Sequence, residues 1–173
     1  KLKVPTLAVV QGAAFGGALG LISCCDMAIG ADDAQFCLSE VRIGLAPAVI
    51  SPFVVQAIGE RATRRYALTA ERFGGQRARE LGLLSESYPL IDLEQMVEQW
   101  IDNLLLNSPA AMRASKDLLR EVGDGSLNPA LRRYTENAIA RIRVSPEGQE
   151  GLRAFLQKRP PSWQAETTTK EPR

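Results

Sequence analysis

The feature that most constrains the fold is the stretch from Leu7 to Gly44, where an apolar run passes through a glycine pair into a second apolar segment. Leu7 to Val10 is typical of a buried strand, and Gln11-Gly12 ends it. Gly16-Gly17 then opens the apolar segment Ala18 to Cys25, which is long enough for about two turns of helix. The pattern therefore predicts a strand, a tight turn and a helix in succession.

The glycine pair has two interpretations. One is a tight turn with no further role. The other is a site for an oxygen that becomes negative, because the first N–H groups of a helix lack intrahelical acceptors and carry the positive end of the helix dipole. Glycine at this point lets a ligand approach the backbone, since no Cβ stands in the way.

Two more strands are predicted after the helix. Met27 to Ala31 is apolar, Asp32-Asp33 signals a turn, and Phe36 to Leu38 is again short and apolar. Strand, helix and strand in about twenty-five residues form a unit of the βαβ type, which requires parallel strands and a right-handed crossover. We therefore expect an α/β fold.

The sequence as a whole predicts three regions: an α/β part over residues 1–90, a helical region over 91–163 and a polar, disordered tail over 164–173. Residues 83–88 resemble a strand. The predicted helices run from Ser51-Pro52 to about Ile58, over 61–69, over 76–81, from Asp92, from Ser108-Pro109, from Asn128-Pro129 to about Val144, and from Ser145-Pro146 to a point before Pro160.

Composition narrows the functional class. The 173 residues carry a net charge of +1, which gives no indication of a nucleic acid or an anionic membrane as partner. Three cysteines do not form a disulfide framework, so a reducing cytoplasm is expected. The longest apolar run is far shorter than the ~20 residues that span a membrane.

The absence of histidine from the sequence restricts the chemistry further. It excludes nucleophile pairs of the Ser-His and Cys-His kinds within this chain and argues against a metal site. Glu40 is the candidate acid–base group, because it follows an apolar strand and precedes Val41, Ile43 and Leu45. A carboxylate near apolar walls has a raised proton affinity, which suits acid–base work near neutral pH. The residues alone also allow an exposed loop glutamate.

The same stretch resembles the signature region of the enoyl-CoA hydratase/isomerase (crotonase) superfamily. The matching residues are Val10, Gly12, Ala14, Gly16, Gly17, Ala18, Cys25, Asp26, Ala34, Phe36, Glu40 and Gly44. The match continues to Lys158-Arg159-Pro160-Pro161. This resemblance implies a β-spiral of ββα turns followed by a helical region. Residues 1–90 would then be the C-terminal part of the α/β core. About the first third of the domain, with a second oxyanion donor and most of the adenine pocket, is then expected before Lys1.

The resemblance also assigns roles to individual residues. Glu40 falls on a catalytic glutamate, and Gly17, beside Gly16, falls on an oxyanion donor to the thioester carbonyl. Phe155 and Lys158 match positions that contact CoA, although a core aromatic and a solvated lysine explain them equally well. Arg42 is the predicted partner of a distal substrate carboxylate, because two residues along a strand would share a face with Glu40.

One position departs from the family pattern. Many hydratases of the family carry a second glutamate where this chain has Gly20. The departure leaves two alternatives to a hydratase open: a double-bond isomerase that uses a single glutamate, and a non-catalytic binding subunit.

The resemblance extends to a substrate and an assembly. Gly20-Leu21 and the run Pro47 to Pro52 look most like bacterial branched-glutaconyl-CoA hydratases, which implies 3-methylglutaconyl-CoA or isohexenylglutaconyl-CoA in leucine or acyclic terpene breakdown. We expect a hydratase, hence a carbon–oxygen lyase, that assembles as a trimer or a dimer of trimers. It would need no metal and no cofactor, since coenzyme A is part of the substrate.

Overall fold

A computed structural model describes residues 2–165. These residues form an α/β structure, so the predicted fold class is confirmed. They divide into two compact units. One comprises Thr6–Gln99, and the other comprises the described residues of Lys1–Pro5 and Trp100–Arg173.

The strands of Thr6–Gln99 form two three-stranded sheets. Their bounds are β1 Leu7–Val10, β2 Ala13–Phe15, β3 Met27–Ala31, β4 Gln35–Cys37, β5 Phe73–Gly74 and β6 Glu86–Tyr88. The first sheet, in the order β1-β3-β6, is parallel throughout. In the second, β2 and β4 are parallel and β5 is antiparallel to β4. The strands expected at 7–10 and 27–31 are confirmed, and the one expected at 36–38 lies one residue earlier.

The register of β2 and β4 determines where the chain leaves the second sheet. Ala14 pairs with Phe36, and Phe15 pairs with Cys37. Because parallel strands have their carboxyl ends at the same edge, the residues that follow β2 and β4 emerge beside each other. The N–H of Gly16 donates to the Cys37 carbonyl at 2.9 Å, which joins the two exits directly.

Helices cover these sheets. They are α1 Gly17–Cys24, a 3₁₀ helix Glu40–Ile43, α2 Ser51–Thr69 and α3 Gly75–Leu81. A further helix, α4 Leu90–Leu105, begins in this unit and ends in the other. The fully buried core includes Leu19 of α1, Ile29 of β3, Phe36 of β4 and Val54 of α2. The rings of Phe36 and Phe73 stack with centroids 5.5 Å apart. This apolar core fixes α1 and the ends of β2 and β4 in place.

Two details of α2 differ from the sequence prediction. Gly59, expected to end a first helix, lies within α2 at φ 78° and ψ 158°, so the two predicted helices meet at a kink. Ser51 does not cap α2, because the capping position belongs to Ile50. The Ser51 hydroxyl instead donates to the Ala48 carbonyl at 3.0 Å, within the turn that precedes the helix.

The second unit is helical. It contains α5 Pro109–Asp124, α6 Pro129–Val144, α7 Pro146–Leu156 and the short α8 Ser162–Ala165. The predicted starts are confirmed, since Ser108, Asn128 and Ser145 each accept a hydrogen bond from a backbone N–H of the first turn. Gln164 and residue 165, expected in a disordered tail, belong to α8, and the remaining 166–173 lie outside the described residues.

Glu147 connects two of these helices. Its carboxylate accepts hydrogen bonds from the Ser108 hydroxyl and from the N–H of Ala110, the latter at 2.9 Å. These bonds, that from Ser108 first, hold the pKa of the Glu147 carboxyl below its ordinary value. Among the described residues, no helix combines the length and apolar character needed to cross a membrane.

Candidate active site

Gly16 and Gly17 form the turn from β2 into α1. Gly16 adopts φ 55° and ψ −122°, a left-handed conformation that favours glycine. Gly17 is the first residue of α1 and is exposed, and no atom of the described residues lies within 4 Å of the point where its Cβ would stand. The Gly17 N–H belongs to the first helical turn, where N–H groups have no intrahelical acceptor. The geometry therefore suits an approaching oxygen.

Glu40 packs its carboxylate against this turn. It begins the 3₁₀ helix just after β4, and its Oε1 lies 3.3 Å from the position that a Cβ on Gly16 would occupy. Its Oε2 is buried and has no hydrogen-bond donor among residues 2–165. Because a buried carboxylate oxygen without a partner is costly, it is typical of a group that bonds a water molecule or a reacting ligand.

Gly20 contributes no functional group and has no room for one. A Cβ on Gly20 would lie 2.3 Å from the Cγ2 and 2.7 Å from the Cβ of Ile50, far inside van der Waals contact. The position that carries a second glutamate in many relatives is therefore filled by an apolar side chain from the end of the loop before α2. Ile50 was not predicted as a site residue, although it lies within the run Pro47 to Pro52 that carries part of the family resemblance.

The prediction that Arg42 shares a face with Glu40 on a strand is wrong. Glu40 and Arg42 lie on a 3₁₀ helix rather than a strand. With three residues per turn, positions two apart differ by about 240° and do not share a face. The Arg42 Nη2 donates to the Ala70 carbonyl at 2.6 Å, which ties the 3₁₀ helix to the end of α2.

The guanidinium of Arg72, near this turn, was not predicted. Arg72 is exposed and lies over the ring of Phe15, with its Cζ 5.0 Å from the ring centroid. Phe15 directly precedes Gly16, so a positive charge stands beside the entrance to α1. No local signal could have revealed this contact, because Phe15, at the end of a strand, and Arg72, in a loop, are 57 positions apart in the sequence.

Phe155 and Lys158 belong to the second unit. Phe155 is 80% exposed near the end of α7, and Lys158 follows the helix at φ 53°. Their contact with CoA stays a prediction. The second unit also contains a cavity of about 490 Å³ lined by Ala111, Ile142, Leu152 and Trp163 among others, and none of the predicted site residues lines it. Within residues 2–165, no group of three His, Cys, Asp or Glu side chains could hold a metal ion.

Comparisons with known proteins find relatives along most of this chain. A family model described as enoyl-CoA hydratase/isomerase matches residues 1–166. The crystal structure of an enoyl-CoA hydratase from Shewanella pealeana superposes with a TM-score of 0.87 at 55% identity, over 92% of this chain and 59% of that one. The chain is thus similar in fold to that hydratase along most of its length.

Two curated relatives extend the comparison. Hydroxycinnamoyl-CoA hydratase-lyase of Pseudomonas fluorescens is 41% identical over 113 residues, which are 65% of this chain and 41% of that protein. The 2,3-dehydroadipyl-CoA hydratase of Escherichia coli is 28% identical over 160 residues, which are 92% of this chain and 62% of that protein. The chain therefore spans between two fifths and two thirds of the length of these relatives.

Proposed function

The chain belongs to the enoyl-CoA hydratase/isomerase family, and on that premise we propose that its protein adds water across the conjugated double bond of an enoyl-CoA thioester. The observation that carries the proposal is the position of Glu40, whose Oε1 lies beside the turn that presents the Gly17 N–H and whose Oε2 is buried without a hydrogen-bond donor among the described residues. A general base next to an oxyanion donor is what hydration of a thioester enone requires.

Each residue then has a defined task. Glu40 takes a proton from a water molecule as the water oxygen bonds to Cβ of the substrate. The electrons of the double bond move into the thioester, whose oxygen becomes an enolate and accepts a hydrogen bond from the Gly17 N–H. Glu40 returns its proton to Cα, so that one water molecule has been added. A lost oxyanion donor of this type typically costs about 3 kcal/mol of transition-state stabilisation.

The test uses the natural gene product that contains this chain. Addition of water removes the conjugation of crotonyl-CoA, so its absorbance falls as the reaction proceeds. The proposal requires that fall in the unaltered protein and its loss in Glu40→Gln. No fall with crotonyl-CoA or with branched enoyl-CoA substrates would contradict it.

A double-bond isomerase is the second candidate, and the observation in its favour is Gly20. With no carboxylate from that position, a single glutamate must move a proton between two carbons. The same absorbance assay separates the two candidates, since an isomerase creates conjugation from a 3-enoyl-CoA and leaves crotonyl-CoA unchanged. A non-catalytic binding subunit would do neither.

For the substrate we propose a branched glutaconyl-CoA, 3-methylglutaconyl-CoA or isohexenylglutaconyl-CoA, from leucine or acyclic terpene breakdown. The support is the resemblance at Gly20-Leu21 and Pro47 to Pro52, together with two guanidinium groups. That of Arg42 donates to the Ala70 carbonyl, and that of Arg72 lies over the Phe15 ring, next to the turn into α1. A distal carboxylate needs a cationic partner once it leaves water. Comparing Arg42→Ala and Arg72→Ala on glutaconyl-CoA and crotonyl-CoA tests the proposal, and a loss limited to the charged substrate supports it.

We propose a trimer or a dimer of trimers in the cytoplasm as the working form. Phe155 and Leu156 are 80% and 77% exposed at the end of α7, and a neighbouring subunit would cover such an apolar pair. The free thiols of Cys24, Cys25 and Cys37 suit a reducing compartment. Light scattering on the natural gene product measures the assembly directly.

A further inference from the structure

We propose that Ile50 determines acyl-group specificity, because its side chain offers an apolar surface where other members of the family place a second carboxylate. The inference rests on the proposed acyl-CoA function and deepens it. The ligand class is an enoyl-CoA whose acyl group carries an alkyl substituent close to the carbon that receives water.

The first step is the contact between Ile50 and α1. The distances of 2.3 and 2.7 Å from a Gly20 Cβ to Cγ2 and Cβ of Ile50 mean that the two positions cannot both carry a side chain in this backbone. Even alanine at position 50 would retain the 2.7 Å overlap. Isoleucine at position 50 therefore requires glycine at position 20 in this backbone.

The second step places this contact beside the proposed base. Gly16 is the residue that caps the N-terminus of α1, and Gly20 is the fourth residue of the helix, so their backbones are about one turn apart along the chain. Glu40 packs at Gly16 and Ile50 packs at Gly20. The Glu40 carboxylate and the Ile50 side chain therefore contact backbone positions one helical turn apart, at and just after the start of α1.

The third step concerns how firmly Ile50 is held. Its carbonyl accepts hydrogen bonds from the N–H groups of Phe53 at 3.1 Å and Val54 at 3.0 Å, at the first turn of α2. The next residue, Ser51, donates its N–H to the Pro47 carbonyl at 2.9 Å. Since the backbone is fixed on both sides and the side chain is half-buried, Ile50 forms a stable wall.

The chemistry of that wall selects the ligand. An alkyl substituent buried against Ile50 gains from leaving water, whereas a hydroxyl or a charge at that place would lack a partner. A carboxylate at position 20 would instead have supplied a second proton-transfer group at this place. The site therefore prefers an alkyl branch to a bare chain.

The experiment compares two variants of equal shape in the natural gene product, Ile50→Val and Ile50→Thr. Titration calorimetry measures the affinities of butyryl-CoA and 3-methylbutyryl-CoA, which are saturated and cannot be hydrated. Val49→Thr is the matched control, because Val49 is the preceding residue and is 85% exposed. Hydration of crotonyl-CoA by the unaltered protein is followed separately.

We expect the preference for 3-methylbutyryl-CoA over butyryl-CoA to persist in Ile50→Val and to fall about fivefold or more in Ile50→Thr, with no change in Val49→Thr. An equal preference in the two Ile50 variants, or an equal loss in the Val49 control, would overturn the inference. Binding of both thioesters without hydration would refute only the hydratase proposal. Binding of neither would refute the acyl-CoA function and this inference together.

Discussion

The Oε1 atom of Glu40 lies 3.3 Å from the point at which a Cβ on Gly16 would stand. The glycine that begins the turn into α1 and the proposed base after β4 therefore occupy adjoining space. A side chain at position 16 would therefore press on the Glu40 carboxylate, which would have to shift to make room.

Gly16→Ala should lower both stability and turnover. A side chain at φ 55° is strained, which costs about 1 kcal/mol or more, and the added methyl group presses on the Glu40 carboxylate. Gly59→Ala is the control, since Gly59 has φ 78° but no described atom within 4 Å of its Cβ position. Melting temperatures should fall in both variants, whereas kcat should fall at least tenfold only in Gly16→Ala. Equal kcat values in the two variants would show that the contact between Gly16 and Glu40 does not affect turnover.

Glu40→Gln should abolish most of the hydration while acyl-CoA binding stays near normal. Glutamine keeps the shape of the side chain but cannot accept the proton, and a positioned general base contributes about 10²–10⁴-fold. Steady-state kinetics and calorimetry with a saturated acyl-CoA measure the two effects. Activity within about tenfold of the unaltered protein would show that another residue is the base.

Gly20→Ala should destabilise the protein, and Ile50→Gly should offset part of that loss. Overpacking of this kind costs about 1–3 kcal/mol, and contacting residues couple by about 0.5–3 kcal/mol. Gly123→Ala in α5 is the matched control, because no described atom lies within 4 Å of its Cβ position and alanine favours a helix. Chemical denaturation of the two single variants and of the double variant gives the coupling. If the changes in the free energy of unfolding of the two single variants simply add up in the double variant, the loop before α2 moves away from position 20 at no cost.

Lys158→Ala should raise KM with little change in kcat. A contact with a remote phosphate is made equally in the ground and transition states, so its loss weakens binding uniformly. Lys158→Arg, which keeps the charge, should leave KM close to normal. A large fall in kcat at unchanged KM would contradict a role in CoA binding.

Glu150→Gln should lower stability at neutral pH and have less effect in acid. Hydrogen bonds from Arg159 above all, with one from the Ser162 N–H, hold the pKa of Glu150 at about 2, below its ordinary 4.5. The unfolded chain therefore takes up the proton first, and the stabilisation present above pH 4.5 is lost as the pH falls towards 2. Melting curves of both proteins across this range should converge. A constant difference down to pH 2 would show that the charge of Glu150 does not stabilise the fold.

Elements with a local signal were predicted from the sequence. Ser108-Pro109 and Asn128-Pro129 place a capping side chain directly before a proline that suits the first helical turn, so the starts of α5 and α6 needed no tertiary information. Gly82 ends α3 at φ 84°, as a glycine after a helix commonly does. The position of Glu40 shortly after β4 was also predicted, because the strand and the carboxylate are close together in the chain.

Features that depend on distant residues were not predicted. Val41, Ile43 and Leu45 alternate with other residues and mimic a strand, yet the segment turns into a 3₁₀ helix where Gly44 adopts φ 76° and Arg42 bonds to Ala70. The contact between Gly20 and Ile50 joins positions thirty residues apart and leaves no periodic pattern. Local propensity cannot encode such packing, since only the folded backbone brings the two residues together.

The mutual exclusion of side chains at positions 20 and 50 also constrains how such a site can evolve. A lineage that holds isoleucine at 50 and gains a side chain at 20 first has to absorb a Cβ placed 2.3 Å from the Cγ2 of Ile50, an overpacking that costs about 1–3 kcal/mol. Loss of the Ile50 side chain first would instead leave a cavity, which costs about as much or more. Either order passes through a destabilised intermediate, so a change at one of the two positions favours a compensating change at the other.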